Sequence, residues 1–295
     1  MTNFYDYVRS HPERLRQFCC REILFLNLDC PPDFVKGENW NSHNIFMHVL
    51  TGGKRMSSRE RSWEFDAGST VFVKKGGVTV ERISEEPFCV LMFFVPDDYL
   101  KSFIRENGSL DFPLDPRAPS NERLLPVHST PVMSAFYQSI LSYFSTDIRP
   151  AENLLELKFK ELLLNIITDE KNRELTNYLY RLAQTNHDDL QWIMESNCFY
   201  NMQLNEYARL CHRSLSSYKR DFLNTFGVPP GRWLLEKRLK RAAQLLSHSD
   251  KSITEVVCDS GFTNVSHFSR AFKKQHGLSP VQYRKQNSSA LAYSA

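Results

Sequence analysis

The chain has 295 residues, 41% of them apolar and 24% charged, enough for two folded domains each with a core of its own. No apolar run approaches the roughly 20 residues that cross a bilayer as a helix, and the polar first ten residues hold no apolar segment of the kind that directs secretion, so a cytoplasmic protein with no membrane partner is expected. The net charge of +3 is divided unevenly: from His187 onward 15 Lys and Arg stand against 9 Asp and Glu, and the remainder is net −3, which makes a polyanion a candidate partner for the C-terminal part alone.

The first elements read as strands. Residues 23–26, 45–50, 70–73, 78–83 and 88–95 are short runs rich in β-branched and aromatic side chains. Turn signals separate them at Pro31-Pro32, Gly52-Gly53, Ala67-Gly68 and Gly76-Gly77. Many short strands at close spacing predict a barrel or sandwich. The period then changes to helical over 97–106, through Tyr99, Leu100, Phe103 and Ile104. A loop with Pro113, Pro116, Pro119 and Pro126 follows, then helices over 131–144 and 154–167. Polar stretches at 168–174 and 184–189 are the linker candidates.

Beyond them the chain repeats itself. Seven positions recur 50 residues apart: Ser216 and Ser266, Tyr218 and Phe268, Arg220 and Arg270, Phe222 and Phe272, Gly227 and Gly277, Pro230 and Pro280, Trp233 and Tyr283. Upstream, Leu204, Tyr207 and Ala208 match Ile253, Val256 and Val257 at an offset of 49. Each copy predicts a helix-turn-helix. The first helices are Leu204–Leu210 and Ile253–Asp259. Ser214, and Thr263 or Asn264, are candidate N-caps for the second helices. Those helices bury an aromatic pair at i, i+4 and end at Gly227 and Gly277. Arg220 and Arg270 lie two residues past the first buried aromatic, about 200° round the helix, and so face outward. An arginine fork suits the paired acceptors of guanine in the major groove. Residues 231–247 predict one long connecting helix, able to hold two reading helices about 34 Å apart. Lys237, Lys240, Arg241, Lys273 and Lys274 are candidate phosphate contacts, joined by Ser214 and His267.

Residues from about 190 to 285 resemble the double helix-turn-helix domain of the AraC/XylS family of transcription regulators. The resemblance rests on Lys237-Arg238-Leu239, Ala242 and Leu245-Leu246, and on Ile253 and Val256. It continues through Gly261-Phe262, Ser266, Phe268-Ser269-Arg270, Phe272, Gly277, Ser279-Pro280 and Tyr283-Arg284. It implies Ser216, Lys219 and Arg220 as base contacts in the first copy, and Val265, Ser266, Ser269 and Arg270 in the second. The chain departs from the family where Val257 replaces alanine, where Val265 offers only apolar contact, and where His212 replaces the glycine of the first turn, which implies a differently shaped turn there.

The family commonly carries a cupin-like barrel and dimerising helices ahead of the reader. The run from Ile45 through His48, Gly52, Trp63, Gly68 and Phe72 to Gly76 resembles that barrel, most of all in regulators of type III secretion, whose barrel works through protein partners. The rival reading is a cupin-type metalloenzyme with an attached DNA-binding domain. His43, His48, Glu64 and Glu81 are its local ligand candidates, but they lack a His-x-His pair. Phe46, Trp63, Phe72, Phe93 and Phe94 line either a ligand cavity or an ordinary core. The seven cysteines (Cys19, Cys20, Cys30, Cys89, Cys198, Cys211 and Cys258) are odd in number and lack C-x-x-C spacing, which excludes a disulfide framework and a zinc cluster.

The expectation is thus a multidomain α+β protein. A β-rich cupin-like regulatory and dimerisation domain with helices spans 1–170, a linker 171–187, an all-α domain with two helix-turn-helix motifs joined by a long helix 188–288, and a tail 289–295. The expected function is sequence-specific DNA binding as a transcription activator reading two successive major grooves, without enzymatic activity, metal or cofactor. Double-stranded DNA, RNA polymerase, a second copy of the chain and a small-molecule or protein effector are the expected partners.

Overall fold

The computed structural model describes residues 1–29, 35–58, 61–107, 122–146, 149–184 and 190–292, with side chains to Asn287. Cys30, the turn expected at Pro31-Pro32, Pro113, Pro116, Pro119, residues 185–187 of the expected linker and residues 293–295 of the expected tail lie outside them. The chain divides into two compact units, 1–187 and 188–295.

The strands of the first unit are β1 (Thr2–Asn3), β2 (Gln17–Cys20), β3 (Ile23–Asp29), β4 (Lys36–Asn41), β5 (Asn44–Thr51), β6 (Lys54–Ser57), β7 (Ser62–Phe65), β8 (Thr70–Val73), β9 (Gly76–Arg82), β10 (Cys89–Val95) and β11 (Leu124–Val127). They form a five-stranded sheet ordered β1-β4-β9-β6-β7 and a six-stranded sheet ordered β11-β8-β5-β10-β3-β2. Neighbours are antiparallel except β1 beside β4. Side chains alternate across the larger sheet. Phe25, Phe46, Phe72, Leu91 and Phe93 enter a core shared with the helices of the unit. Leu24, Leu26, Ile45, Met47, Val71, Val73, Met92 and Phe94 enter another, shared with Met56, Phe65 and Val78 of the smaller sheet. A sheet buried on both faces needs apolar residues at every position, hence the continuous runs in β3, β5, β8 and β10. Each such side chain contributes about 1.5–3 kcal/mol of burial. Phe46, Phe72, Phe93 and Phe94 are fully buried core, and Trp63 packs half-buried at its margin.

The helices are α1 (Phe4–Ser10), α2 (Asp97–Asn107), α3 (Pro131–Phe144), α4 (Glu152–Ile167) and α5 (Arg173–Gln184). Three expectations are corrected here. Gly76 and Gly77 open β9, paired with Asn41 and Trp40 of β4, because a strand without side chains at that point still offers its ladder bonds. Pro126 belongs to β11, an edge strand opposite Val71, where its missing N–H costs no ladder bond. The stretch expected as a linker over 171–187 instead holds α5, whose Leu175, Leu179, Tyr180 and Ala183 join the helix-side core at helical spacing. The polar run before it is a folded corner: His128 donates its backbone N–H to Asn172 Oδ1 (2.7 Å) and pairs through Nδ1 with Asp169 (2.7 Å).

The second unit is helical: α6 (Leu190–Asn197), α7 (Leu204–Leu210), α8 (Leu215–Phe226), α9 (Pro230–His248), α10 (Ile253–Asp259), α11 (Val265–His276) and α12 (Pro280–Ala292). The last runs through most of the expected tail.

Candidate nucleic-acid interface

The duplication in sequence is a duplication in structure, α7-turn-α8 and α10-turn-α11. Each first helix is closed at its start by a glutamate reaching back: Gln203 N–H to Glu206 (2.6 Å) and Ser252 N–H to Glu255 (2.7 Å). The two turns share one hydrogen-bond pattern. Arg213 N–H bonds Ala208 O and Phe262 N–H bonds Val257 O, both at 2.9 Å. His212 is left-handed at φ 48, as Gly261 is at φ 84. The expected change of shape at His212 is therefore absent: histidine tolerates this region better than most residues, and the bonds of the turn hold it there. Gly261 has a second constraint, since a Cβ there would stand 2.7 Å from Phe199 O.

Ser214 Oγ accepts from Ser217 N–H (3.2 Å) and Asn264 Oδ1 from His267 N–H (2.9 Å), so Asn264, not Thr263, caps α11. Both second helices end in left-handed glycines, Gly227 at φ 70 and Gly277 at φ 77. Their buried faces match. Tyr218 and Phe222 lie 5.8 Å apart with Trp233 edge-on to Phe222, and Phe268 and Phe272 lie 5.5 Å apart with Tyr283 edge-on to Phe272.

With the aromatics committed inward, Ser216, Lys219 and Arg220 stand exposed on α8, and Val265, Ser266 and Arg270 on α11, while Ser269 is half-buried. Arg220 Nε donates to Asp221 Oδ1 (3.2 Å), and Arg270 Nε to Ser266 O (3.4 Å). The residues expected at phosphates divide into two groups. Lys240, His267, Lys273 and Lys274 are exposed, and so is Ser214, whose hydroxyl hydrogen remains available for an outside acceptor while its oxygen caps α8. Lys237 and Arg241 are half-buried and lie against rings, Lys237 Nζ 5.0 Å from Trp233 and Arg241 5.9 Å from Phe199. The helix α9 joining the two copies has 19 residues, about 28 Å of helix.

The structural roles of two arginines, Arg213 and Arg238, leave no mark in the sequence. Arg238 donates from Nε to Cys198 O and from Nη2 to Tyr200 O, both at 2.8 Å, fixing the segment after α6 to α9. Arg213 donates from Nε to Asp221 Oδ2 (3.0 Å). Neither bond leaves a periodic signal, because each depends on contacts that only the fold creates.

In the first unit the four residues weighed as metal ligands are engaged elsewhere. His43 stacks on Tyr5, His48 bonds Thr70 Oγ1 (2.8 Å) and stacks on Tyr137, and Glu64 and Glu81 both pair with Arg55. Burial brings His48 down to about 4. Among the described residues no group of three or more His, Cys, Asp or Glu is placed to hold a metal, and no helix is long and apolar enough to cross a membrane. The described cysteines, Cys19, Cys20, Cys89, Cys198, Cys211 and Cys258, are thiols.

Tandem helix-turn-helix units, each turning a polar, arginine-bearing helix outward, define a DNA-binding transcription regulator. A family model described as a helix-turn-helix domain matches residues 207–286, and one described as the ExsA N-terminal regulatory domain matches residues 44–178. The chain is 26% identical over 236 residues to the thermoregulatory protein LcrF of Yersinia pestis, covering 80% of this chain and 87% of that one. It is 25% identical, with the same coverage, to the virulence regulon transcriptional activator VirF of Yersinia enterocolitica. It is 24% identical over 237 residues to the HTH-type transcriptional regulator ExsA of Pseudomonas aeruginosa, covering 80% of this chain and 84% of that one. The chain is thus similar to transcription regulators over most of its length and carries a helix-turn-helix domain in its C-terminal unit.

Proposed function

We propose that the protein is a cytoplasmic transcription activator without enzymatic activity, whose C-terminal unit reads two successive major grooves. In this reading Ser216, Lys219 and Arg220 meet base edges in one groove and Val265, Ser266, Ser269 and Arg270 in the next. Ser214, Lys237, Lys240, Arg241, His267, Lys273 and Lys274 meet phosphates. The observation that carries it is the repeated geometry: the same caps, turn bonds and aromatic pair twice over, with an exposed arginine at the same place on each second helix.

Activation implies RNA polymerase as a partner, and the name of the Yersinia relative VirF supports that direction of control. The N-terminal unit receives the signal, from a small molecule or a protein, and joins two copies of the chain. Leu154, Leu157 and Leu164 support the second role: they lie within about 80° of one another on α4 and remain exposed.

The test is selection of fragmented genomic DNA by the full chain and by its Arg220→Ala/Arg270→Ala variant. Two short sequence blocks about one helical turn apart, lost in the variant, are expected. Selection of the same blocks by both proteins overturns the assignment of the arginines.

A further inference from the structure

One cluster of the first copy has no counterpart in the second. In the first, Asp221 Oδ1 accepts from Arg220 Nε (3.2 Å), while Oδ2 accepts from Arg213 Nε (3.0 Å) and from Ser217 Oγ (3.4 Å). Ser217 Oγ in turn accepts from Arg220 Nη2 (3.4 Å). Arg213 and Arg220 are opposite in exposure: the side chain of Arg213 is 15% exposed and that of Arg220 is 72% exposed. A mostly buried arginine thus anchors the carboxylate to the turn, and the carboxylate steadies an exposed arginine at the helix surface. In the second copy Phe262, His267 and Ala271 stand at the positions of Arg213, Ser217 and Asp221, so none of the three groups recurs around Arg270.

We infer that Asp221, held by Arg213 and Ser217, is a positioning residue that presents the Arg220 guanidinium end-on to a base edge and so sharpens the discrimination made by the first reading helix. With Nε engaged by the carboxylate, the plane and direction of the guanidinium are set before DNA arrives, and the Nη1–Nη2 edge is the one presented. Two acceptors side by side, O6 and N7 of guanine, match that edge. A long exposed side chain otherwise loses rotamer freedom on binding, and a group that restrains it beforehand reduces this loss. The carboxyl is an anion at working pH: although burial pushes it up, its bonds to Arg220 and Arg213 hold it below the ordinary aspartate range.

This inference rests on Arg220 as a base contact, and the experiment separates the two. The full chain and its Arg220→Ala, Asp221→Ala, Asp221→Asn and Arg220→Ala/Asp221→Ala variants each select from a randomised duplex pool at fixed salt, with preference scored base pair by base pair. Arg220→Ala is expected to flatten preference at one guanine. Asp221→Ala should lower it there about tenfold, the free energy of one restrained side chain, with every other position unchanged. Asp221→Asn, which keeps an acceptor for Nε, retains part of it, and the double variant is no worse than Arg220→Ala. Preference unchanged in Arg220→Ala overturns the base-contact reading itself. A flattened position in Arg220→Ala with full preference in Asp221→Ala overturns the positioning role alone, as does a uniform change of affinity across all sequences, the mark of a merely structural or charge effect. Sharper preference in Asp221→Ala overturns it too, since Asp221 would then hold Arg220 away from DNA.

Discussion

Two glycines at positive φ are held by different constraints. Gly227 (φ 70) has open space where a Cβ would go, whereas a Cβ at Gly261 (φ 84) would face the Phe199 carbonyl. Gly227→Ala is expected to cost about 1 kcal/mol, the penalty of the left-handed region alone. Gly261→Ala adds overpacking against backbone and is expected to cost about 2–4 kcal/mol, both read from urea denaturation of the second unit. A histidine makes the other residue-scale prediction. Burial holds His48 at about 4, against 6.5 when free. As pH falls from 6.5 toward 4 the unfolded chain takes up this proton while the folded chain resists it. The first unit therefore loses stability through that window and loses none to this group above 6.5. His48→Gln removes that part of the slope, and hydrogen exchange in the first unit at pH 7 and pH 5 checks it. Neither constraint is visible in composition: His48 looked like any histidine in an apolar strand, and His212 like a breach of the turn it in fact completes.

At the scale of elements, legibility followed burial. Strands β3, β5, β8 and β10 announce themselves because their sheet is apolar on both faces. Strands β2, β4, β6 and β7, shorter or carrying Lys, Glu, Asn and Ser, passed unread. Helix α5 was hidden by the charged corner ahead of it, although its apolar spacing is regular. The helices of the reader were legible almost to the residue, since caps, glycines and aromatic pairs mark each end twice. The tie between α9 and the segment after α6 was not. Arg238→Met keeps the stem of the side chain but leaves the Cys198 and Tyr200 carbonyls without their charged donor. It is expected to destabilise the second unit by about 2–3 kcal/mol, measured by thermal or urea unfolding, with the first unit unaffected.

Over the whole molecule, positive charge is gathered in the unit that carries the readers, as a polyanion requires. Lys273 and Lys274, exposed in the last turn of α11, are expected to act on every sequence alike. Lys273→Ala and Lys274→Ala should each weaken binding uniformly and lower the slope of log affinity against log salt by about 1, as a salt titration of one duplex will show. The tandem order of the copies has a last consequence. Two identical subunits facing each other read a palindrome, the same from either strand. Here one chain carries two unequal copies in series, with Arg213, Ser217 and Asp221 around one arginine and not around the other. Such a reader has a heading. Its site points along the duplex like an arrow, and inverting that site before a gene would exchange which of the two copies lies nearer the gene without altering a single base contact.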